Sequence, residues 1–246
     1  MMTDRVTAAA HEQRTKPGTV RLAQSRAATA LINLLTLGGP VASWTIGDPA
    51  PGALSGRIGG AGDDTRRANL VRDWAARLDT IERWEPYRDG VRGRLVVDAV
   101  LNGVEAQVWA PFAVVPDQTS DERRTVVGSE PDSAATKIRR SQRLTALALT
   151  ELLSTDSAAM PAAWWYVPAW EDAELEGHIR KRDGDHTDRF RLISAWADVL
   201  RSVPRWREWP DLQGGEFSVT GTVSETPVEV WTWLPGDPAQ IGGRGG

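Results

Sequence analysis

The sequence repeats itself, and the repeat restricts the possible folds more than any other feature. Set Gly62-Asp63-Asp64-Thr65-Arg66-Arg67 over Gly184-Asp185-His186-Thr187-Asp188-Arg189, and the register then runs on without a gap. Leu70 meets Leu192, Trp74-Ala75 meets Trp196-Ala197, Leu78 meets Leu200, Trp84 meets Trp206, Gly93 meets Gly215, Val97 meets Val219, and Val108-Trp109 meets Val230-Trp231. Upstream the register slips by one residue, so that Pro40, Trp44, Leu54, Gly56 and Ile58 match Pro161, Trp165, Leu175, Gly177 and Ile179. Three tryptophan pairs in one register, with a fourth pair one residue out of it, are hard to produce by chance, and duplication of one module is the simpler account.

Each copy reads the same way. A helix over residues 22–35, and again over 138–153, carries apolar residues at helical spacing, among them Leu144, Leu147, Leu149 and Leu152. Two short strands follow, 42–46 and 54–58 in the first copy, 164–167 and 174–180 in the second. A second helix opens on Asp63, Asp64 and Thr65, whose oxygens suit an N-cap and whose charge suits the positive end of the helix dipole. Leu70, Val71, Trp74, Leu78 and Ile81 then share one face, as do Leu192, Ile193, Trp196, Leu200 and Val203 in the copy, so both faces are expected in the core. Strands at 94–100 and 105–109 flank Asn102-Gly103, the signature of a type I′ hairpin turn. The copy has Ser224-Glu225-Thr226-Pro227 there, and its loop is expected to differ.

The expected fold class is therefore α+β: an internal duplication of an α-β-β-α-β-β module, with antiparallel sheets, helices on one face and a pseudo-two-fold arrangement of the modules. A four-stranded sheet with one covered face is marginal alone, which argues for pairing, either edge to edge or through helices. The boundaries read as a disordered tail over 1–19, module 1 over 20–112, a polar linker over 113–136, module 2 over 137–235, and a Gly-rich tail over 236–246.

Composition narrows function mostly by exclusion. The chain contains no cysteine, which removes disulfides, thiolate metal sites and a cysteine nucleophile, and fits a reducing compartment. Cytoplasm is the expected location. A formal charge of -4 weighs against a dedicated nucleic-acid binder, since phosphate neutralisation needs a basic face. Arg21 and Arg26 before the apolar run 27–37, then Pro40-Val41-Ala42-Ser43, imitate a secretory signal. The long polar stretch ahead of the run and the recurrence of the pattern in the second copy speak against it. No apolar run approaches the roughly 20 residues that span a bilayer, so no membrane partner is expected.

The chemical motifs are weak. The turn Gly59-Gly60-Ala61-Gly62 precedes a helix, but it lacks the Lys-Ser/Thr of a phosphate loop, and Asp63 and Asp64 would repel an anion. His178, Asp183, Asp185, His186 and Asp188 form a His/Asp cluster whose spacing matches no metal motif; Arg57 and Asp64 stand at the His178 and His186 positions of the first copy. No Ser-His-Asp signature is present, and no cofactor is implied. Lys137, Arg139, Arg140 and Arg143 put a cationic cluster at the start of a helix, a candidate contact for phosphates or an acidic partner, with Arg123-Arg124 ahead of it.

The 12 tryptophans, against 3 phenylalanines and 2 tyrosines, divide in two. Trp44, Trp74, Trp84 and Trp109 pair with Trp165, Trp196, Trp206 and Trp231 and are expected to build the core of both modules. Trp164, Trp170, Trp209 and Trp233 have no counterpart; they are candidates for the inter-module interface or for a binding anchor. A non-catalytic adaptor with another protein as its partner leads on these grounds. A regulatory nucleic-acid binder using Arg139, Arg140 and Arg143 comes second, and a small enzyme with a cleft between the modules third.

Overall fold

The structure, a computed structural model, describes residues 17–47, 50, 52–60, 63–115, 133–155 and 160–236. The N-terminal half runs α1 (Pro17–Thr36), β1 (Ser43–Ile46), β2 (Leu54–Arg57), α2 (Asp64–Arg77), β3 (Glu82–Pro86), β4 (Gly93–Leu101) and β5 (Val104–Phe112). The C-terminal half runs α3 (Ser133–Ser154), β6 (Trp164–Val167), β7 (Leu175–His178), α4 (His186–Leu200), β8 (Arg205–Trp209), β9 (Gly214–Val223) and β10 (Thr226–Leu234), with 3-10 turns at Lys181–Asp183 and Pro210–Leu212. The expected polar linker lies outside the described residues from 116 to 132, as do both chain ends beyond 17 and 236.

The fold is α+β, with four helices and one mixed sheet of ten strands among the described residues, in the order β3-β4-β5-β2-β1-β6-β7-β10-β9-β8. Each half contributes five strands rather than four, and the sheet is mixed rather than antiparallel. β3 and β8 escape the sequence reading because Glu82-Arg83-Trp84-Glu85-Pro86 and Arg205-Trp206-Arg207-Glu208-Trp209 are charged and lie at the two outer edges, where one side of the strand is wet. The mixed pattern follows from the chain path. After β2, α2 passes over β5 and β4 to reach β3, and the meander β3-β4-β5 then returns β5 beside β2 in the parallel sense. β7 and β10 pair in parallel for the same reason.

β1 and β6 pair antiparallel at the centre, with Trp44 opposite Val167, Thr45 opposite Tyr166 and Ile46 opposite Trp165. α1 and α3 pack on each other over this seam. Their buried glutamines fasten it crosswise: Gln24 Nε2 donates to the Ala163 carbonyl at 2.6 Å, and Gln142 Nε2 donates to the carbonyls of Ala42 and Pro168 at 2.7 and 2.8 Å. Each helix thus satisfies backbone groups of the opposite half, where an unmet carbonyl would cost about 1–3 kcal/mol.

All four helices cover one face of the sheet and share a single hydrophobic core with it. In each half a strand tryptophan meets a helix tryptophan edge-on, Trp44 with Trp74 at 5.7 Å and 86°, Trp165 with Trp196 at 5.4 Å and 85°. Glycines make room for these rings. A Cβ on Gly56 would lie 2.6 Å from the Trp44 ring, and one on Gly177 would lie 2.8 Å from Trp165. The helix caps are as expected: Asp63 accepts from Arg66 N at 2.8 Å and Asp185 from Asp188 N at 2.9 Å.

Three expectations need correction. Ile81 and Val203 are 81% and 77% exposed, because α2 and α4 end at Arg77 and Leu200 and the chain then turns through positive φ at Asp79 and Arg201. Leu144 and Leu147 are exposed on α3, whose buried stripe instead runs through Gln142, Thr145, Leu149 and Leu152. The β9–β10 turn does not differ from its counterpart: Ser224 and Glu225 both adopt positive φ, as Asn102 and Gly103 do, so a two-residue hairpin forms with unfavourable residues.

Candidate functional site

Among the described residues no helix covers the face of the sheet opposite α1 to α4, the bare face, and strand alternation decides what it displays. On β7, Leu175, Gly177 and Ile179 turn into the core, which leaves Glu174, Glu176, His178 and Arg180 on the bare face. On β10, Val228, Val230 and Leu234 turn inward, which leaves Glu229, Trp231 and Trp233 outward. Pairing registers then line these residues up across strands. One row runs Trp164–His178–Trp231–Ser218–Arg205, and the next runs Tyr166–Glu176–Glu229–Thr220.

Rings from the two rows touch in sequence. His178 stacks on Trp231 at 4.0 Å, Trp164 meets His178 edge-on at 6.1 Å, Tyr166 stacks with Trp164 at 6.4 Å, and Trp170 meets Tyr166 at 6.3 Å. Arg180 lies over Trp164 at 4.2 Å, and Arg207 over Trp209 at 5.0 Å. Burial pushes the His178 imidazole below its ordinary value, and nearby Arg180 adds to the effect. Burial likewise pushes the Glu176 and Glu216 carboxyls up, reinforced in both by repulsion from Glu229.

The N-terminal half of the same face carries a network of paired charges. Arg83 Nε donates to Asp98 at 2.6 Å, Arg94 Nε to Glu85 at 2.5 Å and Gln107 Nε2 to Asp98 at 2.9 Å, while Arg83 also pairs with Glu85. Burial alone would raise Glu85 and Asp98, yet hydrogen bonds from Arg83, with Arg94 and Gln107, hold both below the usual carboxylate range. Arg57 and Arg94 sit over the Trp109 ring at 5.5 and 5.4 Å, and its Nε1 donates to Ser55 Oγ at 3.0 Å. A cavity of about 1820 Å³ is bounded by Arg57, Arg94 and Trp109 and by Trp164, Tyr166 and Trp170.

The candidate residues fall unevenly on this map. Trp164, Trp170, Trp209 and Trp233 all lie on the bare face, Trp170 and Trp209 being 49% and 40% exposed. Trp109 and Trp231, expected in the core, are half-buried on the bare face; they sit in phase with Gln107 and Glu229, not with the inward Val108 and Val230. Arg139 is committed to structure, donating to the Gly39 carbonyl at 3.1 Å and to Thr136 Oγ1 at 3.3 Å, whereas Arg140 and Arg143 are exposed on α3. Of the His/Asp group, Asp185 caps α4, Asp183 accepts from Arg180 N, and His178 belongs to the aromatic row. In the glycine-rich turn ahead of α2, Ala61 and Gly62 lie outside the described residues. Sequence reasoning passed over Tyr166, Glu176, Glu216 and Glu229, although alternation along β7 and β10 was available to place Glu176 and Glu229.

The fold and site define an α+β protein with one helix-covered and one bare sheet face, the latter carrying contiguous aromatic rings. Among the described residues no helix is long and apolar enough to cross a membrane. Neither a protein-family model nor a curated protein matches the chain. Among solved structures, a triple mutant of 4-hydroxymandelate synthase from Streptomyces coelicolor shows 10% identity and a TM-score of 0.17, over 75% of this chain and 48% of that one. The chain thus spans about half the length of that enzyme, and a likeness so slight carries no argument.

Proposed function

We propose that the chain is a non-catalytic protein-binding or adaptor protein, built by internal duplication as an intramolecular pseudo-dimer about the β1–β6 seam, and that its bare sheet face receives a partner polypeptide. The observation that carries this reading is the unbroken line of ring contacts from Trp231 through His178, Trp164 and Tyr166 to Trp170 on a face that no helix covers among the described residues. Tryptophan and tyrosine are among the residues most enriched at binding hot spots. The pseudo-dimer is supported by the matched sequence register and by the corresponding strand positions of the two halves. The nucleic-acid reading loses weight because Arg139 is tied to Gly39.

The test compares two baits in native extract, the wild-type chain and the Trp170→Ala, Trp209→Ala double variant, with bound proteins identified by mass spectrometry. A partner held by the wild type and lost by the variant, with both baits showing the same thermal melt, is expected. Equal capture by both baits, or none by either, would count against the reading.

A further inference from the structure

Resting on the adaptor reading and narrowing it to a partner chemistry, we propose that the C-terminal half of the bare face binds an arginine- or lysine-bearing segment of the partner polypeptide. The Trp231 and Trp233 rings serve as platforms, and Glu176, Glu216 and Glu229 as counter-charges.

The two halves differ at this point. In the N-terminal half, Arg94 spans a ring and a carboxylate, lying over Trp109 at 5.4 Å while its Nε reaches Glu85 at 2.5 Å. By the sequence register Trp231 stands where Trp109 does, and Glu216 stands at the Arg94 position. The ring is kept, His178 takes the place of Arg57 against one side of it, and Glu216 takes the place of the Arg94 guanidinium. Ser55 and Gln107, the neutral neighbours of Trp109, become Glu176 and Glu229, which lie directly opposite each other on β7 and β10. A guanidinium or ammonium brought by a partner would restore the ring–cation–carboxylate arrangement that the N-terminal half completes from its own residues.

Charge complementarity supports the same occupant. Among the described residues, none of Glu176, Glu216 and Glu229 makes a salt bridge or a side-chain hydrogen bond, whereas Arg83, Glu85, Arg94 and Asp98 of the N-terminal face are all paired. The cations of the C-terminal face stand at its margins: Arg180 lies on Trp164, Arg207 lies on Trp209, and Arg205 sits on the outermost strand. Arg207 stands directly opposite Glu216 across β8 and β9 and attracts it, but its guanidinium lies over Trp209 and makes no salt bridge with Glu216. These two stacked arginines also show that rings on this face accept a guanidinium, a contact worth about 0.5–2 kcal/mol depending on its desolvation.

The probe is a fluorescein-labelled peptide of alternating arginine and serine, titrated by anisotropy against the full chain at two salt concentrations. A peptide of alternating glutamate and serine serves as the control. The wild type is expected to bind the arginine peptide, and Glu176→Gln with Glu229→Gln is expected to weaken binding about tenfold, the scale of a lost charge-assisted contact. Glu151→Gln with Glu225→Gln removes the same charge away from the face and is expected to change affinity less than about twofold. Equal losses in the two double variants would assign the attraction to overall charge and overturn the proposal. Failure of the arginine peptide to bind, while partner capture still depends on Trp170 and Trp209, would overturn it and leave the adaptor reading standing. Failure of both assays would remove both.

Discussion

His178 lies nearly flat against Trp231, with ring centroids 4.0 Å apart and planes inclined by 13°. The stack shields the imidazole from water, and burial pushes its proton affinity below the ordinary value. As pH falls through the unfolded-state value, the unfolded chain takes up a proton that the folded chain resists, so stability contributed by neutral His178 is lost on the acid side. His178→Phe keeps an aromatic ring against Trp231 and removes the proton. The fall in urea midpoint between about pH 7.5 and about pH 5.5 is expected to be smaller in the variant than in the wild type.

The carboxylates behave in the opposite sense. Glu176 binds its proton more readily in the folded chain, through burial and through repulsion from Glu229, so folding is penalised once pH rises through its folded value. Glu176→Gln removes that penalty. It is expected to stabilise the chain by about 0.5 kcal/mol near neutral pH, the scale of a cross-strand like-charge pair, with the gain vanishing below about pH 4. Chemical denaturation at both pH values checks it.

Gly177 faces Trp165 directly across β6 and β7, and an added methyl would meet the indole at 2.8 Å and Val230 at 3.1 Å. Gly177→Ala should therefore cost about 1–3 kcal/mol by overpacking, as should Gly56→Ala beneath Trp44. In each case the denaturation midpoint should fall while the m-value stays unchanged.

The two hairpin turns offer an exchange. Asn102-Gly103 suits two successive positive φ angles, whereas Ser224-Glu225 holds φ of 46° and 66° against its preference. Ser224→Asn with Glu225→Gly is expected to stabilise by about 1 kcal/mol, and Asn102→Ser with Gly103→Glu to destabilise by a similar amount. Thermal melts of the two variants, read against the wild type, should shift in opposite directions.

Gln142 donates to Ala42, just ahead of β1, and to Pro168, just after β6. Gln142→Leu leaves two carbonyls without that donor and should cost about 2–4 kcal/mol. Because these carbonyls flank both central strands, tryptophan fluorescence and far-UV circular dichroism should still report one coincident transition at the lowered midpoint.

The helices, their aspartate caps and eight of the ten strands are legible in the sequence because periodicity, capping oxygens and the Asn-Gly turn are local signals. β3 and β8 are not, since a charged edge strand resembles a loop in its composition. The bare face is hidden for another reason. Matching Trp109 with Trp231 pairs two rings that do lie on the same face, but repetition says nothing about which face a residue takes; alternation from Val108 and Val230 does. Which strands neighbour one another is set by the α2 and α4 crossovers, and so the meeting of Glu176 with Glu229 cannot be read from spacing.

The β1–β6 seam also closes two strand edges. Were the halves apart, each would present an inner strand, Ser43–Ile46 or Trp164–Val167, with unpaired backbone groups and alternating large apolar side chains, a template for adventitious strand addition. Joined, the sheet of the described residues has β3 and β8 at its borders, and these are guarded by Arg83, Glu85 and Pro86 on one side and by Arg205, Arg207 and Glu208 on the other. The residues that make the seam thus also keep two aromatic-bearing strand edges from exposure.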